Sequence, residues 1–299
     1  MSMFKKILKN IEGYLFISPW IIGFFVFTLG PMVASLFYSF TKWNVFTTPE
    51  WIGFQNYRDI FKDPLFYKSL RNSFYFTILA VPSQITVALI LAVLLNQKIK
   101  GQQIYRTIYY LPTVVSGASV ALLWMMLLNP TTGLINRILS WFGISGPAWL
   151  LDPKWVIPAL VLMSIWGVGG AMVIFLAALQ GVPKELYESA EIDGAGPFKR
   201  FIYITLPMIS PVIFFNFVMA VIGSLKVFSP AYFMFGSQGG PQNSALFYVL
   251  YLYVNAFVDF KMGYASALAW ILFIIILLIT LLIFKSSPLW VYYETELKK

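Results

Sequence analysis

The chain has 299 residues, of which 59% are apolar, 18% aromatic and only 11% charged, with a formal net charge of +9. A soluble domain carries roughly 25% charged residues, so this composition suits lipid rather than water. With neither His nor Cys, disulfides, thiol chemistry, haem ligation by His or Cys and Cys/His zinc sites are excluded, and the few acids lie mostly in aqueous loops, so neither a catalytic nor a metal site is expected.

Seven stretches of more than 20 residues contain no Asp, Glu, Lys or Arg: 13–41, 72–97, 107–136, 155–183, 201–225, 227–258 and 262–284. Six of them read as membrane spans. The exception is 227–258, which Gly236-Ser-Gln-Gly-Gly-Pro-Gln-Asn-Ser244 interrupts. The remaining apolar piece, 245–258, would reach only about 21 Å as a helix, against a hydrocarbon core of ~30 Å. It reads as a re-entrant or surface helix. Were it an additional span, the C-terminus would lie on the opposite side.

In chain order, residues 1–12 form a short basic amphipathic start and span one covers about 15–40, too long and too rich in Pro and aromatics for a cleavable signal peptide. The mixed-charge segment 41–72 follows outside, then span two, about 73–95, with Pro82 inside it. The loop 97–106 holds Lys98, Lys100 and Arg106 and no acid. Span three is expected at about 109–128. A short helix, 134–142, then precedes Trp149 and Trp155 at interface depth.

Span four, about 156–179, carries Ser164-Ile-Trp-Gly-Val-Gly-Gly-Ala171, whose small residues permit close helix packing in a bilayer. Spans five and six are expected at about 203–227 and 262–284, so that 13–284 forms one membrane domain with a tail, 285–299. With six spans, the segments on one side, including both termini, hold 12 Lys and Arg and the opposite set holds eight. The positive-inside rule then places both termini in the cytoplasm. Dispersed cations with no basic helix or aromatic-basic motif argue against nucleic acid as a partner.

The inner loop 182–201 is the most informative segment. Pro183 suits a first helical turn, Glu185 complements the positive end of the helix dipole, and Gly194 can take the left-handed conformation that ends the helix. A helix of about three turns is marginal in water alone. Leu186, Tyr187 and Ala190 offer a modest apolar stripe while Glu188 and Glu191 face elsewhere, which suits a cleft of a soluble partner; a plain loop helix between spans would carry the same caps. Pro197-Phe-Lys-Arg200 opens a second short helix, and the two form an elbow.

The string Glu188-Ser-Ala-Glu-Ile-Asp-Gly194, followed after nine residues by Ile204-Thr-Leu-Pro207, resembles the EAA loop of bacterial ABC importer permeases. Ser189 stands where that family usually has Ala. The resemblance implies an all-α integral membrane protein of six transmembrane helices with the type I ABC importer permease fold. Its cytoplasmic EAA coupling helix would be 183–193, and Glu188, Ser189, Ala190, Asp193, Gly194, Leu206 and Pro207 would be its ATPase-coupling positions. ATP and Mg would be used by a separate ATP-binding cassette subunit, and this chain would bind no cofactor; it has no Gly-Lys pair and hence no Walker A loop.

Further pieces, namely Trp51-Ile-Gly-Phe-Gln-Asn-Tyr57, Asn72, Tyr105-Arg-Thr107, Gly133-Leu-Ile-Asn136, Trp149-Leu150 and Gly239-Gly-Pro241, are similar to the sugar-permease branch of maltose, lactose and glycerol-phosphate type. That likeness implies import of a mono- or oligosaccharide or sugar derivative across a bacterial cell membrane. It also implies a heterodimer with a second, related permease and an extracytoplasmic solute-binding protein.

For the substrate path, Asn216, Gly223 and Lys226 fall in one broad arc of span five, where an ionisable residue is a functional candidate. Lys226 reads equally as a side chain snorkelling to the interface. Phe228, Tyr232, Tyr251 and Asn255 could stack on and hydrogen-bond a sugar, although an aromatic belt has the same composition. The competing function is a secondary transporter or channel for a small polar solute, which would more usually carry buried acids for ion coupling.

Overall fold

In lipid a backbone must satisfy its own polar groups, and a chain of apolar runs does so as helices. The computed structural model describes residues 3–97 and 99–292; Lys98 and the end of the basic tail, 293–299, lie outside the described residues. In order, α1 (Met3–Phe24) passes through a π-helical turn, Phe25–Leu29, into α2 (Gly30–Ser39). A two-residue antiparallel ribbon, β1 (Thr41–Lys42) with β2 (Glu50–Trp51), and α3 (Gln55–Ile60) lead to α4 (Pro64–Asn96). Next come α5 (Gln102–Tyr110), α6 (Gly117–Leu127), α7 (Leu134–Trp141), α8 (Val156–Trp166), α9 (Gly169–Gln180), α10 (Lys184–Ile192) and α11 (Pro197–Arg200). A second π turn, Phe201–Thr205, opens α12 (Leu206–Leu225), followed by α13 (Ser229–Phe235), α14 (Tyr248–Tyr253) and α15 (Met262–Ser286).

Among the described residues four helices are long and apolar enough to cross a membrane, and six spans result when each of two bent pairs counts as one. The first bent pair, Gln102–Val114 with Gly117–Leu127, turns by 102°; the second, α8 with α9, turns by 49°. Spans three and four are therefore broken helices, where the sequence suggested continuous ones. At the first break Pro112 lies in a 3-10 turn, Val115 and Ser116 are extended, and Ser116 Oγ accepts from Ser119 N–H to start α6. At the second, the helix stops at Gly167 and restarts at Gly169.

Span two also differs from the 73–95 read from hydropathy: α4 has 33 residues from Pro64, about 50 Å at 1.5 Å per residue. Lys68 and Arg71 end the apolar run without ending the helix, because both are good helix formers. Pro31 and Pro207 each follow a π turn by two residues, with Gly30 N–H donating to Phe25 O and Leu206 N–H to Phe201 O. A proline crowds the carbonyl four residues back and lacks a donor, and the wider turn relieves both effects.

The chain divides into two compact units, Met1–Asp63 with Leu252–Phe273, and Pro64–Tyr251 with Ile274–Lys299. In the first, Asn56 Nδ2 donates to Ser39 O and Thr41 O at 2.8 and 2.9 Å, and Tyr57 Oη meets Ser39 Oγ at 2.8 Å, fixing the ribbon beneath α2. Gly263 lies so close to the Thr41 carbonyl that a Cβ would overlap it, while Trp270 Nε1 donates to Ser35 Oγ at 3.2 Å.

In the second unit Ala88, Ala92 and Leu95 of α4 pack on Met172, Phe175, Leu176 and Leu179 of α9 and Ile209 of α12. The alanines, one turn apart, let the backbones approach, which is how helices gain contact energy where lipid removes the hydrophobic drive. Gly169 does the same at the second break: a Cβ there would strike Tyr109 O. The irregular segment before α14 is pinned by buried amide and hydroxyl groups. Asn72 Nδ2 donates to Asn243 O and Leu246 O at 2.8 and 3.1 Å, and Ser73 Oγ accepts from Tyr248 N–H at 2.9 Å.

Candidate functional site

Two features of the second unit stand out, an elbow of short helices and a cavity among the spans. The elbow begins at Pro183, the N-cap of α10, with Glu185 in its first turn. Gly194 ends it at φ +76°, while Ala195 N–H donates to Ala190 O at 2.8 Å and Gly194 N–H to Glu191 O at 3.0 Å. These are the paired bonds of a Schellman stop.

Two contacts fasten the arms of the elbow. Tyr187 Oη and Thr205 Oγ1 lie 2.8 Å apart, joining α10 to the π turn below α12, and Arg200 Nη1 pairs with Glu191 Oε2 at 3.0 Å. Tyr187 thus packs inward against the α4–α9 core, rather than outward with Leu186 as the sequence stripe suggested. The apolar groups that do face out are Leu186, Ile192, 87% exposed, and Phe198, 74% exposed. Glu188, Ser189, Asp193 and Gly194 are exposed, Ala190 is half-buried, and Leu206 and Pro207 are half-buried at the root of α12.

The cavity holds about 340 Å³, within the range of small-molecule sites. Phe76 and Gln84 of α4, Pro112, Gly117 and Val120 at the first break, Leu160, Met163, Ser164, Trp166 and Gly167 at the second, and Ala220, Gly223 and Ser224 of α12 line it, with Val227 and Pro230. Both helix breaks therefore open onto it, in keeping with the rule that irregular backbone at membrane depth is tolerated where it lines a cavity or is buried in protein. Ser224 Oγ donates to Thr77 Oγ1 at 2.9 Å and so joins α12 to α4 beside it.

Of the residues read as a path, Gly223 is on this wall, with open space where a Cβ would stand. Asn216 is buried and donates to Val212 O of its own helix at 2.9 Å. Lys226 is exposed at the C-cap of α12. Phe228 and Tyr232 stack on each other at 5.2 Å, and Tyr251 is a buried residue of α14. Asn255 is buried within the first unit. Gln84 and Thr205 escaped the sequence reading: a lone Gln in an apolar run gives no pattern, and Thr205 is marked only by its place two residues before Pro207.

The family described as "Binding-protein-dependent transport system inner membrane component" matches residues 72–287. Among similar proteins, the probable ABC transporter permease protein YesP of Bacillus subtilis is 44% identical over 96% of this chain and 94% of its own length. The lactose transport system permease protein LacF of Rhizobium radiobacter is 34% identical over 93% and 94% of the two chains. A chain of a bacterial alginate ABC transporter, solved in complex with an alginate pentasaccharide-bound periplasmic protein, superposes with a TM-score of 0.83. It is 26% identical over 95% of this chain and 96% of that one.

Proposed function

We propose a role that starts from one fact, that this chain belongs to the family of binding-protein-dependent transport system inner membrane components. It is the multi-pass permease subunit of an ATP-driven importer that passes a carbohydrate from an extracytoplasmic binding protein to the cytoplasm. Relatives named for lactose, arabinooligosaccharides and diacetylchitobiose support the substrate class. The helix breaks on the cavity wall suit such a cargo, since a helix start or stop leaves backbone donors or acceptors without intrahelical partners.

Hydrolysis takes place elsewhere. The elbow of α10 and α11 is the seat of a separate ATPase, which binds ATP and Mg, and it lies with both termini on the cytoplasmic side. The observation that carries this is the exposure of Ile192, at the end of a short helix closed by a Schellman stop, and of Phe198 on the helix that follows it: an apolar knob on a connector between spans. ATP binding at the partner would close the ATPases and carry the elbow with them. Nucleotide and loaded binding protein shift the spans only by their differential affinity for the outward state. A second, related permease completes the pathway as a heterodimer.

Purification of the tagged chain from its native membrane in mild detergent, with mass spectrometry of what stays bound, tests the reading. A P-loop ATPase and a second multispanning protein are expected. Recovery of this chain alone, under conditions that keep known complexes intact, would point to a secondary transporter instead.

A further inference from the structure

We infer that Tyr187 and Thr205 are the positioning pair that makes the elbow and α12 move as one body. This rests on the coupling role proposed above and assigns its transmission to named atoms. α10 is joined to α12 along the chain only through the Gly194 stop, α11 and the π turn Phe201–Thr205. Neither end of that connection is a rigid rod. Gly194 is in the left-handed region, and the π turn, which ends on Leu206 N–H donating to Phe201 O, runs straight into Pro207, which donates no bond of its own.

The hydrogen bond between Tyr187 Oη and Thr205 Oγ1, 2.8 Å, spans this compliant stretch and reaches the last residue of the π turn, itself buried. The Tyr187 ring adds packing on the core that α4, α9 and Ile209 of α12 build. The Arg200–Glu191 pair, also across the elbow, is mostly exposed on its acidic side and so holds weakly. The tyrosine hydroxyl is thus the firm strut. Beyond it, the 20-residue α12 carries Gly223 and Ser224 near its far end on the cavity wall, so displacement of α10 is delivered to the wall through one helix.

The chain has no native cysteine, so spin labels can be placed at Ile192 and Tyr203, both largely exposed, on the assembled complex with cysteine-free partners. Continuous-wave EPR is recorded nucleotide-free and trapped with ATP and vanadate. With the native pair, the dipolar broadening between the labels is expected to stay the same in the two states. With Tyr187→Phe or Thr205→Val it should change on trapping, and binding-protein-stimulated ATPase activity should fall roughly fivefold, the equivalent of one hydrogen bond. Thr205→Ser, which keeps the hydroxyl, should restore both; a role in stability alone would not separate Ser from Val in this way.

Broadening that stays constant in both hydroxyl-deleting variants overturns the strut, as does stimulation at the native level. A single label at Ile192 tests the underlying reading separately: its mobility must drop when the ATPase subunit is present. Unchanged mobility sinks the coupling role itself, whereas a drop together with rigid Tyr187→Phe elbows sinks only the strut.

Discussion

Ser224 donates a 2.9 Å hydrogen bond to Thr77 and thereby ties α12 to α4 at the cavity that both helices wall. Ser224 also bonds Val221 O in its own helix at 3.0 Å, so Thr77→Val leaves it one partner. A loss of about 0.5–1 kcal/mol is expected, read as a small drop in the melting temperature of the detergent-solubilised complex. A loss several times larger would mean that the pair does more than brace two helices.

Gly223 and Lys226, three residues apart, should respond to very different degrees. A Cβ at Gly223 meets open space, and the residue lines the 340 Å³ cavity, so the large side chain of Gly223→Trp is expected to obstruct it. Uptake by membrane vesicles should fall at least about tenfold while assembly survives, since the barrier rises by over ~1.4 kcal/mol. Lys226→Ala, at the exposed helix end, should change uptake less than about twofold, as expected of a snorkelling side chain.

Gly194 is expected to resist substitution in proportion to the strain at φ +76°. A non-glycine residue in the left-handed region costs roughly 1–2 kcal/mol, with Asn the mildest. Gly194→Val should insert normally, judged by its level in membranes, and fail to couple ATP hydrolysis to uptake. Gly194→Asn should retain most activity. Normal uptake by the valine variant would remove the helix stop from the mechanism.

Asn72 holds two backbone carbonyls of the irregular segment before α14. Asn72→Leu preserves bulk but strands both acceptors, at about 1–3 kcal/mol each if they stay dry. Thermal unfolding of the purified chain should show a drop well beyond that of Thr77→Val. Equal drops would indicate that Asn243 and Leu246 find water.

Much of this was legible in the residues themselves. Six charge-free runs mark six spans, and Pro183, Glu185 and Gly194 mark the ends of α10, because charge and capping are local properties. The breaks were not. The segment Leu111-Pro-Thr-Val-Val-Ser-Gly117 is apolar enough for hydropathy to run straight across it, and only Pro112, Ser116 and Gly117 hint at a turn of 102°. At the second break the glycines read as packing residues; Gly169 does pack, while Gly167 ends a helix. The inward turn of Tyr187 was hidden for a different reason: its partner Thr205 is 18 residues away, and no periodicity on α10 encodes it.

The two breaks give the cavity a wall made partly of main chain, at Pro112, Gly117 and Gly167. Side-chain mutation does not delete a carbonyl or an amide, so this polar ground is shielded from most genetic change. Variation can then act on Phe76, Gln84, Met163 and Trp166, the side chains that frame it. On the role proposed above, a lineage could retune which cargo fits by swapping a few such residues while the main-chain part of the wall stays as it is, so that new preferences would arise without rebuilding the cavity.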